Sequence, residues 1–357
     1  MARLLAAGAV CLGVTNVSEA CMFCEADNRV YGRTSNPYDT GRTSGGSSGG
    51  NAALVSACAA PFAIGSDVGG STRIPAMYCG LFGHKPTGGA VPNTRTWPPT
   101  AGLQRRYCQL GPSARHAEDL MPLLRLVAGP DGVDSSCRPL ALGDAAAVRL
   151  RGLRLLNCAA FLGGGLAYSR RSAEHVAAHG ALVGWLRAQP GCEVGELPAY
   201  PELAEAFDIW AAMLGAATEE AFHSIISRAP ADGAAPVARL LSLPAELLRL
   251  LGANALGCGR SNHTLPALGL ALVEKVDDLM PARQRRLIAA GGRLKAALAA
   301  ALGEDGVLLF PSLPKGAPFH GGHIRRLSFL DCGVTGLFNV LELPATQIPL
   351  GGLSHGP

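Results

Sequence analysis

Short apolar runs bounded by turn residues alternate along this chain with longer stretches of helical spacing. The first residues read as the last turns of an amphipathic helix closed by Gly8, leading into a strand over Ala9–Val14. Small apolar residues fill Ala52–Ala60, a helix that can pack close beneath its neighbours. Leu81–Gly88 reads as a strand running into a turn, and Ala90-Val91-Pro92 as another break. Ser113–Asp119 predicts a helix start, with acidic residues suited to the helix dipole. A strand over 153–158, a helix from about Ser172 to Ala188 and a strand over 192–197 follow. A helical block over about 202–302 is interrupted by Pro230, Pro236, Pro244 and Pro266. It contains a leucine-rich stretch, 240–251, which reads as a buried core helix, as an interfacial helix or as one wall of a greasy channel. Gly306–Pro311 is expected to be a buried strand, 328–341 a helix and Ala345–Leu350 strand-like. The alternation predicts an α/β fold, a mixed β-sheet core with helices on both faces.

Composition narrows the partners more than the fold. Of 357 residues, 48% are hydrophobic and 16% charged, so a large core is expected rather than disorder. The net charge of +4 is spread along the chain. Its densest clusters, Arg283-Gln284-Arg285-Arg286 and Arg170-Arg171, read as solvated helix faces, so no nucleic-acid partner is indicated. Eleven irregularly spaced cysteines suit a reducing, intracellular compartment. Cys21-Met22-Phe23-Cys24 has CxxC spacing without a second pair, and His175 and His179 lie four apart without a completing carboxylate. Neither predicts a metal, and no cofactor is expected. No secretory signal is visible, and no apolar run reaches the roughly 18 residues of a spanning helix.

The chemistry concentrates in two glycine loops. Gly45-Gly46-Ser47-Ser48-Gly49-Gly50 precedes the small-sided helix, and Gly65-Ser66-Asp67-Val68-Gly69-Gly70-Ser71-Thr72-Arg73 follows it. A flexible linker would not be flanked by the Asn36-Pro37-Tyr38-Asp39 turn and an apolar helix. Gly45–Gly49 fits GxSxG, but polar turn residues stand where a nucleophile elbow needs a buried strand. A phosphate loop is missing its Gly-Lys-Ser/Thr. What remains is serine nucleophilic catalysis without histidine. Such a serine needs a base, which a neutral lysine can supply through a second, proton-carrying serine. The N–H groups of Gly69 and Gly70 can meet the developing oxyanion.

These loops, with Gly83-His84-Lys85-Pro86-Thr87, Thr15–Glu19 and Asn36–Asp39, resemble the amidase signature family. Leu309–Lys315 and Leu343–Gln347 resemble its fatty-acid amide hydrolase 2 branch. The resemblance covers essentially the whole chain, most strongly over 9–95 and 304–352. It implies one partial domain over 1–357, with a signature segment at about 9–95 and a helical substrate-channel region at about 202–302. It makes Ser71 the acylated nucleophile and Ser47 the bridging serine, held in the family on a cis peptide. Ser48 becomes a hydrogen-bonding support, and Val68, Gly69 and Gly70 become the oxyanion-hole donors. Asp67 and Arg73 would brace the loops.

The family's catalytic lysine falls ahead of Met1. Of the chain's four lysines, Lys85, Lys275, Lys295 and Lys315, none lies in an upstream strand, and Lys85 reads as structural. Both ends are therefore expected to be cut from a longer enzyme. The implied activity is hydrolysis of fatty-acid amides, with a lipid amide as substrate and with membrane association by resemblance. A homodimer is left open. The alternatives are a catalytically inactive truncated product and an amidotransferase A-type subunit.

Overall fold

A computed structural model of the protein describes residues 1–158, 168–219, 222, 225, 263–270, 280–325 and 328–351. Its α/β character is as expected, and the strands divide by direction. One sheet is antiparallel, formed by β1 (Phe62–Asp67), β2 (Phe82–Lys85), β3 (Gln109–Ala114) and β7 (Ala345–Gln347) in the order β7-β2-β3-β1. A second sheet is parallel, with β4 (Arg154–Asn157) between β5 (Glu193–Glu196) and β6 (Gly306–Leu309), and two short antiparallel ribbons pair Asp27–Asn28 with Gly32–Arg33 and Ser35–Asn36 with Asp39–Thr43. Within the antiparallel sheet β1 is an edge strand, paired along its whole length with β3 from Phe62↔Ala114 to Asp67↔Gln109. Its end therefore projects residues 68–72 away from the sheet, and the chain returns in α2 (Arg73–Tyr78).

Beneath the loops lies α1 (Gly49–Ser56), whose Ala52 and Val55 are fully buried among Ala60, Ala76, Cys79 and Leu81. Small side chains allow this close packing. The largest core layer joins α5 (Ala206–Ala217), α6 (Pro281–Leu302) and α7 (Cys332–Val340) through Ile209, Leu287, Leu294, Leu298 and Leu337. In α6, Leu287, Ala290, Gly291, Leu294 and Leu298 form the helical-spacing stripe that is buried. Near its N-terminal end Arg283 pairs with Asp208 and Arg286 with Glu205, at the border of the contact with α5. Two longer helices are α3 (Leu120–Val127) and α4 (Ala173–Arg187), the latter capped by Ser172, and short helices occupy Ala2–Ala6, Gln104–Tyr107 and Gly322–Arg325.

Four expectations change. Ala9–Val14 forms no strand: Val10, Leu12 and Val14 are 81%, 67% and 100% exposed, and no described strand pairs with them. An apolar pattern makes a strand only where a ladder partner exists. Ser113 and Ala114 end β3 because they pair with β2 and β1; helical turns begin at Ala117–Asp119 and continue as α3. As a sheet edge, β6 is half-buried rather than buried, and Val307 faces solvent. The expected helix over 328–341 opens with a tighter turn, Ser328–Asp331, before α7. The leucine-rich 240–251 stretch lies outside the described residues. Among those described, no helix is long and apolar enough to cross a membrane.

Candidate functional site

The two glycine loops meet at a cleft of about 1160 Å³, to which Ser47 and Ser71 both contribute. Phe207, Trp210 and Leu214 of α5, with Phe222, Ile225 and Leu270, make its apolar wall. A smaller adjoining cavity of about 460 Å³ is lined by Gly46, Val68, Gly69 and Ser71. The loops are joined by Ser48 N–H, which donates to the Ser71 carbonyl at 3.2 Å. Ser48 Oγ donates to the Ser66 carbonyl at 3.4 Å, so Ser48 lies under the cleft rather than in it.

Ser47 follows a cis peptide bond from Gly46. A Cβ on Gly46 would stand 2.5 Å from the Phe23 carbonyl oxygen, so only glycine lets the two backbones meet there. Ser47 is buried, and among the described residues its hydroxyl has no hydrogen-bond partner. The Cys21 thiol lies close by: burial pushes it up and the Ser47 hydroxyl pulls it back, without a hydrogen bond of normal geometry. Cys24, the other half of the CxxC pair, meets Cys332, whose thiol raises it together with burial. Both CxxC cysteines are free thiols.

Below Ser71 the polar groups form one tightly satisfied cluster. Asp67 and Arg73 are buried and doubly bonded, Nε to Oδ2 and Nη2 to Oδ1, each at 2.9 Å. Asp67 Oδ1 also accepts from Gly70 N–H at 2.7 Å and from Asn339 Nδ2 at 3.1 Å, and Oδ2 accepts from Thr72 N–H at 3.2 Å. Burial alone would raise the Asp67 carboxyl, but the charge and hydrogen bonds of Arg73, with Lys85 and Asn339, hold it down at about 2. Lys85 ends β2, is fully buried and donates to the Pro86 carbonyl at 2.8 Å. Burial and the Arg73 charge bring its ammonium down to about 7. It lines neither cavity.

The backbone of 67–71 is pinned through its carbonyls. Asn339 Nδ2 holds that of Asp67 at 2.7 Å, Trp210 Nε1 that of Val68 at 2.9 Å and Thr335 Oγ1 that of Gly69 at 2.7 Å. The Gly70 carbonyl accepts from Ile74 N–H at 2.7 Å, and that of Ser71 from Ser48. Gly70 N–H is already spent on Asp67. The N–H groups of Val68, Gly69 and Ser71 have no acceptor among the described residues.

Trp210, Thr335 and Asn339 were not anticipated from the sequence. The last two carried a signal: polar residues four apart within an otherwise apolar helix share one face. His175 and His179 go separate ways, to Ser172 Oγ and Asn157 Oδ1, and no cluster of metal-ligating side chains occurs among the described residues.

This arrangement defines an α/β protein whose site is a buried serine pair carried on two glycine loops. The chain belongs to the amidase signature family: the Amidase family model matches residues 1–223. Fatty-acid amide hydrolase 2-B of Danio rerio is 38% identical over 98% of this chain, and fatty-acid amide hydrolase 2 of Homo sapiens 35% identical over 98%. The chain spans 62% of the length of each of these relatives. The A-type subunit of glutamyl-tRNA(Gln) amidotransferase from Methanosarcina acetivorans is 48% identical over 38% of this chain and 27% of its own length. The solved A-type subunit of the Thermotoga maritima glutamyl-tRNA(Gln) amidotransferase shares the fold with a TM-score of 0.75 at 21% identity, covering 99% of this chain and 69% of that one. The 6-aminohexanoate cyclic dimer hydrolase does so with a TM-score of 0.72 at 23% identity, covering 99% and 71%.

Proposed function

We propose that the protein hydrolyses long-chain fatty-acid amides through an acyl-enzyme on Ser71. The observation that carries this reading is the Ser47 hydroxyl, buried without a partner, on the same apolar cleft as Ser71. Ser71 Oγ attacks the amide carbonyl carbon, and its proton passes to Ser47, which gives its own to a neutral lysine amine. When the C–N bond breaks, that proton returns through Ser47 to the departing nitrogen. Water then cleaves the acyl–Ser71 ester, releasing the fatty acid. Lys85, which donates to the Pro86 carbonyl, and Lys295, which donates to Glu342, line neither cavity, so neither is assigned as that base. Val68, Gly69 and Ser71 N–H groups receive the oxyanion, each such donor contributing about 3–4 kcal/mol to lowering the barrier. The phenyl, indole and aliphatic wall suits an acyl chain, a substrate that resides in membranes, so membrane association belongs to the proposal.

The test uses the natural polypeptide that carries residues 1–357. A fluorophosphonate probe should label Ser71, and Ser71→Ala should abolish both labelling and turnover. Labelling elsewhere, with Ser71 untouched, would refute the mechanism. Equal turnover of oleamide and short polar amides would remove the lipid assignment and leave the amidase. An amidotransferase A-type role is the second reading, favoured by the 48% identity over 134 residues. Co-purification with a tRNA-binding partner and glutamine-dependent ammonia release would replace the first reading with it.

A further inference from the structure

We propose that Trp210 is a positioning residue for this reaction: its indole N–H fixes the Val68–Gly69 peptide so that Gly69 N–H is presented to the substrate's carbonyl oxygen. The inference rests on the hydrolase reading above and concerns a residue on α5, 142 positions away from Val68.

In a trans peptide the C=O and the following N–H point to opposite sides. The only cis bonds in the described chain are Gly46–Ser47 and Trp97–Pro98, so Val68–Gly69 is trans. Trp210 Nε1 donates to the Val68 carbonyl at 2.9 Å, which turns Gly69 N–H away from the indole. Thr335 Oγ1 holds the next carbonyl at 2.7 Å, so the Gly69 residue is pinned on both sides. Of the two glycine N–H groups, Gly70's is bonded to Asp67 and Gly69's has no described acceptor.

The ring itself has little room to move. A Cβ on Gly69 would stand 2.9 Å from its Cζ2, and one on Gly336 would stand 2.8 Å from its Cδ1 and Cγ. The indole thus sits in a slot between two glycines, with the Phe207 ring at 5.6 Å. Tryptophan combines a flat apolar body that fills such a slot with one N–H donor and no acceptor. Phenylalanine would keep the wall of the cleft and lose the anchor.

The experiment replaces Trp210 in the natural polypeptide by 3-benzothienylalanine, which keeps the ring shape but has sulfur in place of N–H. Trp210→Phe is the genetically encoded counterpart. Turnover of oleamide should show kcat reduced about 10- to 100-fold with KM changed less than about twofold, the signature of an interaction felt in the transition state. 7-Azatryptophan, which keeps the N–H, should restore kcat. A wild-type kcat in the benzothienyl variant would overturn the proposal, as would a change confined to KM.

Ser71→Ala with undiminished turnover would instead refute the hydrolase reading. The anchoring is then read directly at one of the three Val–Gly pairs within residues 1–357, 68–69, 183–184 and 194–195, with Val68→Ile identifying the 68–69 signal. With valine carbonyls labelled with carbon-13 and glycine amides with nitrogen-15, the Val68 carbonyl resonance should move in the benzothienyl variant while the other two stay. An unmoved Val68 carbonyl would overturn the anchoring.

Discussion

Replacing Asp67 by asparagine tests whether the cluster beneath the serines is held by charge. The carboxylate accepts five hydrogen bonds, from Arg73 twice, Gly70, Thr72 and Asn339. An asparagine amide nitrogen must face donors whichever way it is turned, either Arg73 Nε and Thr72 N–H or Arg73 Nη2, Gly70 N–H and Asn339 Nδ2. It also leaves the Arg73 guanidinium, 4% exposed at its side chain, without a negative partner. Breaking a buried pair from one side costs about 3–5 kcal/mol, a large share of a typical total stability of about 5–15 kcal/mol.

Protonation removes the same charge more gently. With a folded value of about 2 against an ordinary 3.8, ionised Asp67 stabilises the fold by about 2 kcal/mol. A depressed carboxyl gives its stability above the unfolded pKa and loses it as pH falls through the folded one. The mutation should cost more than protonation because the asparagine amide also opposes existing donors. Urea unfolding at pH 7 should therefore show a loss of about 3–5 kcal/mol for Asp67→Asn, and the gap should narrow as pH falls towards about 2. A loss below about 1 kcal/mol at pH 7, or a gap independent of pH, would refute the reasoning.

Two other perturbations reach the site from different sides. Gly46→Ala places a methyl 2.5 Å from the Phe23 carbonyl oxygen, so thermal unfolding should register a loss of at least about 2 kcal/mol and Ser71 labelling should fall; an unchanged melting temperature would contradict the close approach. Lys85→Met removes an ammonium whose folded value is about 7 against an ordinary 10.5. A depressed lysine carries its cost below the folded value and sheds it as pH rises towards the unfolded one. Wild type should thus gain about 2 kcal/mol on Lys85→Met between pH 7 and pH 9 in urea unfolding, and a constant difference would show that the buried ammonium is not destabilised.

Much of the parallel sheet and of α4 was legible because local pattern and tertiary role agree there. Leu155 and Leu156 are apolar and buried, and Ser172 caps a helix that ends beside Pro190. The pattern misled where pairing decided the outcome. Ser113 and Ala114 look like a helix start, yet β1 and β2 lie on either side of them. Val10, Leu12 and Val14 alternate like a strand and stand in solvent. In the site, Ser47, Ser71 and the glycines were visible as a motif, because close backbone approach and a hydroxyl each demand particular residue types. Gly70 shows the limit of such reading. The sequence offers its N–H to an oxyanion, whereas the fold spends it on Asp67.

That limit has a physical origin. A backbone N–H can receive negative charge only if its direction is fixed, and a glycine-rich loop does not fix its own peptides. Here the carbonyls of 67–71 are all engaged, three of them by side chains from α5 and α7 that lie 142 to 272 positions away. Each captured carbonyl turns the following N–H to the other side, and no carbonyl of 67–71 is left free to repel a developing oxyanion. The glycines supply freedom of approach, and Trp210, Thr335 and Asn339 remove the freedom of rotation that comes with it. Residues 9–95 therefore contain both candidate serines but only part of what orients the loop around Ser71, namely Ser48, Ile74 and Asp67. The other residues that orient it sit on helices whose sequences look like ordinary apolar core, which is why an argument from motifs alone passes over them.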